Sequence, residues 1–199
     1  MSLKLLLASG NRGKLREFQI LAAGSGLELD LLPDFAGIPQ FPEDAPTFAE
    51  NAAGKAMYYS RFSPGLVFAD DSGLVVPALG GEPGVHSARY AGPGASNEQK
   101  IEKLLRELRG KSGGERAAYF VCVLAVATRG SATTIVSAKA DGLILDEARG
   151  AGGFGYDPVF YFPPLGKTFA ELSTPEKNPL SHRGKAFKRL IEALRSAAA

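Results

Sequence analysis

Residues 3–14 read LKLLLASGNRGK, a short apolar run that leads into a polar segment with two glycines. Nearly every position of 3–8 is apolar, which predicts a strand buried on both faces. Apolar side chains then recur at helical spacing from Leu15 to Ala22, so the pattern predicts a helix after the polar segment. A buried strand, a loop and a helix in this order are typical of an α/β protein.

The rest of the chain continues this alternation. Leucines alternate with acidic residues over 27–31, which predicts a half-exposed strand, and the capping pair Thr47 and Glu50 predicts a helix that begins at Phe48. Residues 66–69 form a second buried strand, which we expect to end abruptly at 70–73 (DDSG), although residues 74–79 would be able to extend it. A long hairpin is expected over 117–140 and a last helix from Ser181. We predict one mixed α/β domain over 1–199, folded as two lobes without an independent second domain.

Composition excludes several classes of protein. The formal net charge is only +2, which gives no basis for a nucleic-acid or membrane partner. The apolar run at 3–8 is too short for a membrane span or a signal sequence. The single cysteine, Cys122, rules out an internal disulfide and lies in an apolar run, where a buried thiol is expected. We therefore predict a cytoplasmic protein.

The polar segment after the first strand has the chemistry of a phosphate site. Glycines allow close approach of the backbone, and a helix N-terminus presents free amides to an anion. The candidate ligands are Ser9, Gly10, Asn11, Arg12, Gly13 and Lys14. The spacing is too short for a Walker A loop. A plain strand-to-helix turn with surface cations explains the segment equally well.

Paired carboxylates follow the second buried strand. Asp70 and Asp71 repel each other unless a cation or a proton compensates, and hard oxygen ligands suit Mg²⁺. Glu43, in an acidic loop before the second helix, is a further candidate carboxylate, and Lys55 on that helix is a candidate phosphate ligand. The alternatives are an Asp-Ser-Gly turn, a solvated acidic loop and an exposed helix lysine.

Two further segments carry candidate contacts to a base. Residues 152–158 read GGFGYDP, and aromatic side chains among glycines are typical of stacking platforms. Basic residues open the last helix, where acidic ones are preferred, and such exceptions are expected at functional sites. The candidates here are Phe154, Gly155, Tyr156, Asp157, Lys177, His182 and Arg183.

Taken together, these segments resemble the inosine triphosphatase family, also called the Ham1 family. The resemblance covers nearly the whole chain, and six motifs occur in the family's order. They are SGN at 9–11 with Lys14, TF and ENA at 47–52, ADDSG at 69–73, GGEPG and SARY at 80–90, GGFGYDP at 152–158, and SHRG at 181–184.

This resemblance implies a twisted mixed sheet with flanking helices, two lobes around a central substrate cleft, and a homodimer. It implies hydrolysis of inosine, deoxyinosine and xanthosine triphosphates to the monophosphate and pyrophosphate, with Mg²⁺ as the expected cofactor and Mn²⁺ as the alternative. By resemblance, Asp71 is the general base and a metal ligand, Glu43 the second metal ligand, and Ser72 a substrate contact. Either Asp70 or Asp71 would orient the attacking water.

The resemblance also assigns the other candidates. Residues 9–14 would grip the phosphates, and residues 154–157 with Lys177, His182 and Arg183 would hold the base. The rival hypotheses are a Maf-like pyrophosphatase acting on another modified or pyrimidine triphosphate, and a non-catalytic nucleotide-binding module. The module would leave the Asp70-Asp71 pair without a purpose.

Overall fold

The computed structural model describes residues 3–10 and 12–197, which form a mixed seven-stranded sheet with helices. The strands are β1 (Leu3–Leu7), β2 (Leu27–Leu31), β3 (Leu66–Val75), β4 (Ala117–Thr128), β5 (Ser131–Ile144), β6 (Phe160–Phe162) and β7 (Lys167–Thr168). The helices are α1 (Arg12–Ala22), α2 (Phe48–Tyr59), α3 (Asn97–Glu107), α4 (Thr174–Lys177) and α5 (His182–Ala197), and short 3₁₀ turns connect several elements.

The strand order is β2-β1-β3-β4-β5-β6-β7. β1 pairs in parallel with β2 and with β3, whereas β6 is antiparallel to both of its neighbours. β4 and β5 are joined by Arg129 and Gly130, both at positive φ, which is the geometry of a two-residue hairpin turn. The predicted α/β class with a mixed sheet and flanking helices is confirmed.

Two compact units make up the chain. The first takes the described residues of 1–71, 122–138 and 184–199, and the second takes 72–121 and 139–183. Each unit has its own apolar core. Leu5, Leu7, Phe18, Phe68 and Phe187 lie at the centre of the first, together with the buried Cys122, and Leu74, Leu104, Phe160 and Phe169 lie at the centre of the second.

Helix starts follow their sequence signals. α2 begins at Phe48, and the Thr47 hydroxyl accepts a hydrogen bond from the amide of Glu50, as the capping pair predicts. At α3, Ser96 and Gln99 form a complete capping box. α5 begins at His182, directly after Ser181. The side-chain caps of Thr47 and Ser96 thus fix where α2 and α3 begin.

The predicted turn at 70–73 is wrong. β3 continues through Asp70 and Asp71 to Val75, so both carboxylates lie within a strand. Turn preference is a local property, and here burial decides instead, because Asp70 and Asp71 are only 1% and 8% exposed. β1 pairs with β3 only as far as Leu7 opposite Phe68, so the two carboxylates lie just beyond the carboxyl end of β1.

No helix within residues 3–10 and 12–197 is long and apolar enough to cross a membrane.

Candidate active site

The first candidate site lies in the first unit and centres on Asp70. Its two carboxylate oxygens accept hydrogen bonds from Lys14 Nζ at 3.0 and 2.9 Å. Lys14 lies in the first turns of α1, and Asp70 lies on β3. A buried carboxylate requires a partner charge, and this pair supplies it. The sequence therefore places one cation of the predicted phosphate segment directly against the strand that carries the paired carboxylates.

Asp71 has different surroundings. Burial is the main cause that raises the pKa of Asp71 from 3.8 to about 6, and the nearby charges of Glu43 and Asp70 raise it further. A hydrogen bond with the Asn51 side chain and the charge of Lys55 act in the opposite direction. A carboxylate in this state is poised to take a proton near neutral pH.

The loop that carries Glu43 is fastened to α2 on both sides of that residue. The backbone amide of Phe41 donates to the hydroxyl of Tyr59 at 3.1 Å. The buried side chain of Asn51 accepts from the amide of Ala45 at 3.0 Å and donates to its carbonyl at 3.3 Å. Asn51 therefore links the acidic loop to Asp71, a role that sequence reasoning missed although its helical spacing to Lys55 was visible.

Lys55 projects from α2 and pairs with Glu43, with Nζ 2.5 Å from Oε1. Burial alone would lower the pKa of Lys55, but the charges of Asp70 and Glu43 outweigh it and raise that pKa above its ordinary value. The pair borders a cavity of about 330 Å³, which is also lined by Ser9, Gly10, Phe35 and Tyr59.

Of the other members of the predicted phosphate segment, Ser9 and Gly10 line the cavity beside Glu43 and Lys55. Ser9 and Gly10 follow β1, Arg12 is an exposed first residue of α1, and Gly13 belongs to the same helix. Asn11 lies outside the described residues. Ser72 follows Asp71 on β3 and is half-buried, but it belongs to the second unit.

The donor set of the first unit fits a divalent cation. Three carboxylates, from Asp70, Asp71 and Glu43, interact with two ammonium groups, from Lys14 and Lys55. Burial and then the nearby charges of Glu43 and Asp70 raise the pKa of Asp71, and a bound cation would relieve the repulsion between the carboxylates. Over residues 3–10 and 12–197, no three acidic, cysteine or histidine side chains are already gathered as metal ligands. In this structure Lys14 pairs with Asp70, and Lys55 pairs with Glu43.

The second candidate site lies in the second unit and is built around Asp157. Its Oδ2 accepts from the amide of Phe154 at 2.9 Å and from Lys177 Nζ at 2.5 Å. Asp157 is 2% exposed and Lys177 only 9%. The carboxylate therefore closes the glycine-rich turn and fixes the lysine, two internal contacts that occupy one of its oxygens.

Cations and aromatic rings meet beside this turn. The Phe154 ring is half exposed, and Lys177 Nζ and the Arg183 guanidinium lie 5.5 and 5.3 Å from its centroid. His182 stacks on Phe120, with ring centroids 4.7 Å apart. An exposed ring beside two cations offers a flat surface and hydrogen-bond donors to a heteroaromatic base.

The structure separates two aromatic residues that the sequence grouped together. Tyr156 does not form a stacking platform beside Phe154, because its ring lies in the core and its hydroxyl donates to the carbonyl of Ser87 at 2.9 Å. Gly155, at φ +63°, provides the left-handed backbone that sends the two side chains in different directions. Phe120, which stacks on His182, was not predicted as a site residue because it belongs to the apolar run of β4.

The sequence profile of the Ham1 family matches residues 5–193. This chain belongs to the Ham1 family. It is 53% identical over 189 residues to a dITP/XTP pyrophosphatase of Geobacillus kaustophilus, covering 95% of this chain and 93% of that protein. It is 49% identical over 199 residues to the protein of the same name from Methylococcus capsulatus, covering 98% of each.

Solved structures of the Ham1 family have the same fold. A HAM1 protein from Coxiella burnetii has a TM-score of 0.88 at 39% identity, covering 98% of this chain and 99% of that one. The Ham1 protein of Staphylococcus aureus has a TM-score of 0.87 at 38% identity, with the same coverage. The family resemblance drawn from the motifs is thus confirmed.

Proposed function

We propose that this chain is a nucleoside triphosphate pyrophosphatase that acts on purine triphosphates with a 6-oxo group, namely ITP, dITP and XTP. Support comes from the Ham1 membership and from relatives named dITP/XTP pyrophosphatase that are about half identical over nearly the whole chain. The observation that carries the chemistry is the buried Asp71 carboxylate, whose pKa of about 6 suits a general base, in a cluster with two lysines. These names do not favour the Maf-like or non-catalytic alternatives.

In the proposed reaction, Asp71 takes a proton from a water molecule as the water oxygen attacks the α-phosphorus. The bond between the α-phosphorus and the bridging oxygen breaks, and pyrophosphate leaves with that oxygen. Lys14, Lys55 and the backbone of 9–13 bind the phosphates, and this electrostatic positioning is the main catalytic contribution of the chain. Asp71 and Glu43 would hold Mg²⁺ or Mn²⁺, which neutralises phosphate charge when bound.

Selectivity for the base would arise from hydrogen-bond matching in the second unit. A 6-oxo purine presents an acceptor where adenine presents an amino donor. The donors of His182 and Arg183 therefore favour the oxo group, and the exposed ring of Phe154 offers a stacking surface. Ser72, Gly155, Asp157 and Lys177 are further proposed substrate contacts, whereas Tyr156 lies in the core and supports the turn from within. The homodimer implied by the family is part of the proposal.

The decisive experiment measures pyrophosphate release from ITP, XTP, GTP, ATP and CTP, each with Mg²⁺, with Mn²⁺ and with a chelator. Release that requires metal and is confined to ITP and XTP is the expected result. Hydrolysis of a different triphosphate would move the base assignment to the Maf-like alternative. Binding of a nucleotide without turnover under any condition would favour the non-catalytic module.

A further inference from the structure

The two lysine–carboxylate pairs of the first unit differ in how firmly they are held. Asp70 is 1% exposed, lies on a strand and uses both of its oxygens for Lys14. Glu43 is 31% exposed at its side chain, lies on a loop and pairs with Lys55 through Oε1. A fully buried carboxylate on a strand is expected to keep its partner, whereas a carboxylate that is partly exposed on a loop can be reached by another ligand.

Exchange at Glu43 needs only a side-chain rotation. Hydrogen bonds at Phe41 and Ala45 fasten the backbone on both sides of Glu43 to α2, the helix that carries Lys55. The carboxylate can therefore turn away from the ammonium without any movement of the loop. The cavity of about 330 Å³ beside the pair has room for phosphate groups at the position of this exchange.

In the proposed function, Lys55 and Glu43 each bind a ligand instead of each other. A phosphate oxygen needs the ammonium of Lys55, and a divalent cation needs the carboxylate of Glu43. Glu43 therefore competes with the phosphate for Lys55, and Lys55 competes with the cation for Glu43. When one ligand binds its residue, the other residue becomes available, so phosphate and cation favour each other's binding by the same factor.

We propose, building on the proposed function, that Glu43 is an internal competitor of the substrate for Lys55, and that nucleotide and cation binding are coupled through the exchange of this ion pair. Glu43 thus has a second role beside its proposed metal ligation. It occupies the phosphate-binding lysine until a cation takes its carboxylate. Asp70, in contrast, keeps Lys14 in position throughout.

The test is the affinity for ITP without metal, measured by calorimetry in excess chelator. Glu43→Gln should bind ITP about tenfold more tightly than the unsubstituted protein, which corresponds to 1.4 kcal/mol. Asp44→Asn changes the net charge equally in the same loop and should alter the affinity less than about twofold, since Asp44 is exposed. Circular dichroism and melting curves check that each variant is folded, and Glu43→Ala serves as a second variant.

A double-mutant cycle separates competition from simple repulsion between Glu43 and the phosphates. In a Lys55→Met background, Glu43→Gln should no longer tighten ITP binding. Equal tightening in both backgrounds would overturn the proposal, because the effect would not pass through Lys55. No tightening in either background would overturn it as well. Pyrophosphate release with Mg²⁺ is measured in parallel, so a failure of the proposed function is read separately from metal-free binding.

Discussion

The ammonium of Lys14 reaches both carboxylate oxygens of Asp70, at 3.0 and 2.9 Å, so that Asp70 is the counter-ion of a proposed phosphate ligand. The neighbouring Asp71 interacts instead with Glu43 and Asn51. We therefore propose separate tasks for the two adjacent aspartates. In this proposal Asp70 positions Lys14, and Asp71 takes the proton of the attacking water.

Substitution of Asp70 tests this division. Asp70→Asn should raise KM for ITP about tenfold and lower kcat less than about fivefold, because the residue acts through a phosphate ligand. In the Lys14→Met background the same substitution should add little, since its partner is already absent. A hundredfold loss of kcat at constant KM would instead identify Asp70 as the general base.

We expect the Asp71 carboxylate to lower the stability of the folded, metal-free protein at neutral pH, although the proposed activity depends on it. Its pKa is about 6 in the folded protein, above the ordinary aspartate value of 3.8, so the folded state holds the proton more tightly. The carboxyl group therefore destabilises the metal-free protein increasingly as the pH rises from about 4 through about 6. Asp71→Asn should raise the free energy of unfolding on the order of 1–3 kcal/mol at pH 7.5 and have no effect below about pH 4.

Urea titrations in chelator at several pH values measure this difference, with Asp44→Asn as the exposed control. The same Asp71→Asn protein should lose at least about a hundredfold in kcat with Mg²⁺. Lower stability of Asp71→Asn at pH 7.5 would show that the folded environment stabilises the carboxylate, against the proposed role.

Much of this fold could be predicted from local sequence signals. The apolar run at 3–8, the caps Thr47 and Ser96 and the Arg129-Gly130 turn are each determined by a few neighbouring residues. The structure agrees on the strand, the helix starts and the turn, although the first two residues of β1 are exposed rather than buried. These signals are reliable because periodicity, capping and turn geometry depend on the local chain.

The partners of buried polar groups could not be predicted in this way. Residues 70–73 have good turn chemistry, yet the structure continues the strand, and Lys14, 56 positions away, compensates Asp70. Asp157 is predicted to contact a base, and its internal partner in the structure, Lys177, lies 20 positions away. Such pairings depend on the tertiary fold, which no short motif contains.

Because Gly54 has no side chain, α2 has room for the Phe41 ring of the acidic loop. A Cβ at Gly54 would come within 2.6 Å of the tip of the Phe41 ring. Gly54→Ala gains about 1 kcal/mol of helix propensity, so stability should change little, but the ring and the loop with Glu43 must shift. We expect a several-fold higher Mg²⁺ concentration at half-maximal activity. Phe41→Leu in the same protein should restore it; unchanged metal dependence of Gly54→Ala would contradict the role of this contact.

Arg183 should control the choice of base more than the rate. Its guanidinium lies 5.3 Å from the Phe154 ring centroid, in the second unit, whereas the proposed general base belongs to the first. Arg183→Ala should reduce the ratio of kcat/KM for ITP to that for ATP at least about tenfold, while kcat for ITP falls less. Arg183→Lys keeps the charge but not the planar donor geometry and should restore only part of the ratio. An unchanged ratio in Arg183→Ala would exclude this role.

Gly153 packs directly against the Asp157 carboxylate, and stability measurements can test this contact. Gly153 has a φ of +71°, and a Cβ there would overlap with Oδ2 of Asp157. Gly153→Ala should therefore destabilise the protein by the left-handed strain of about 1–2 kcal/mol plus the displacement of a buried carboxylate. In an Asp157→Ala/Lys177→Met background, where neither charge is left buried alone, the overlap with the carboxylate is removed. The backbone strain and a close approach of 3.1 Å to the Cβ at position 157 should remain. The two effects should differ by at least about 1 kcal/mol in urea unfolding. Equal effects in both backgrounds would contradict this prediction. They would show that the Asp157 carboxylate is not the reason why position 153 requires glycine, and that the loop accommodates a side chain beside Asp157.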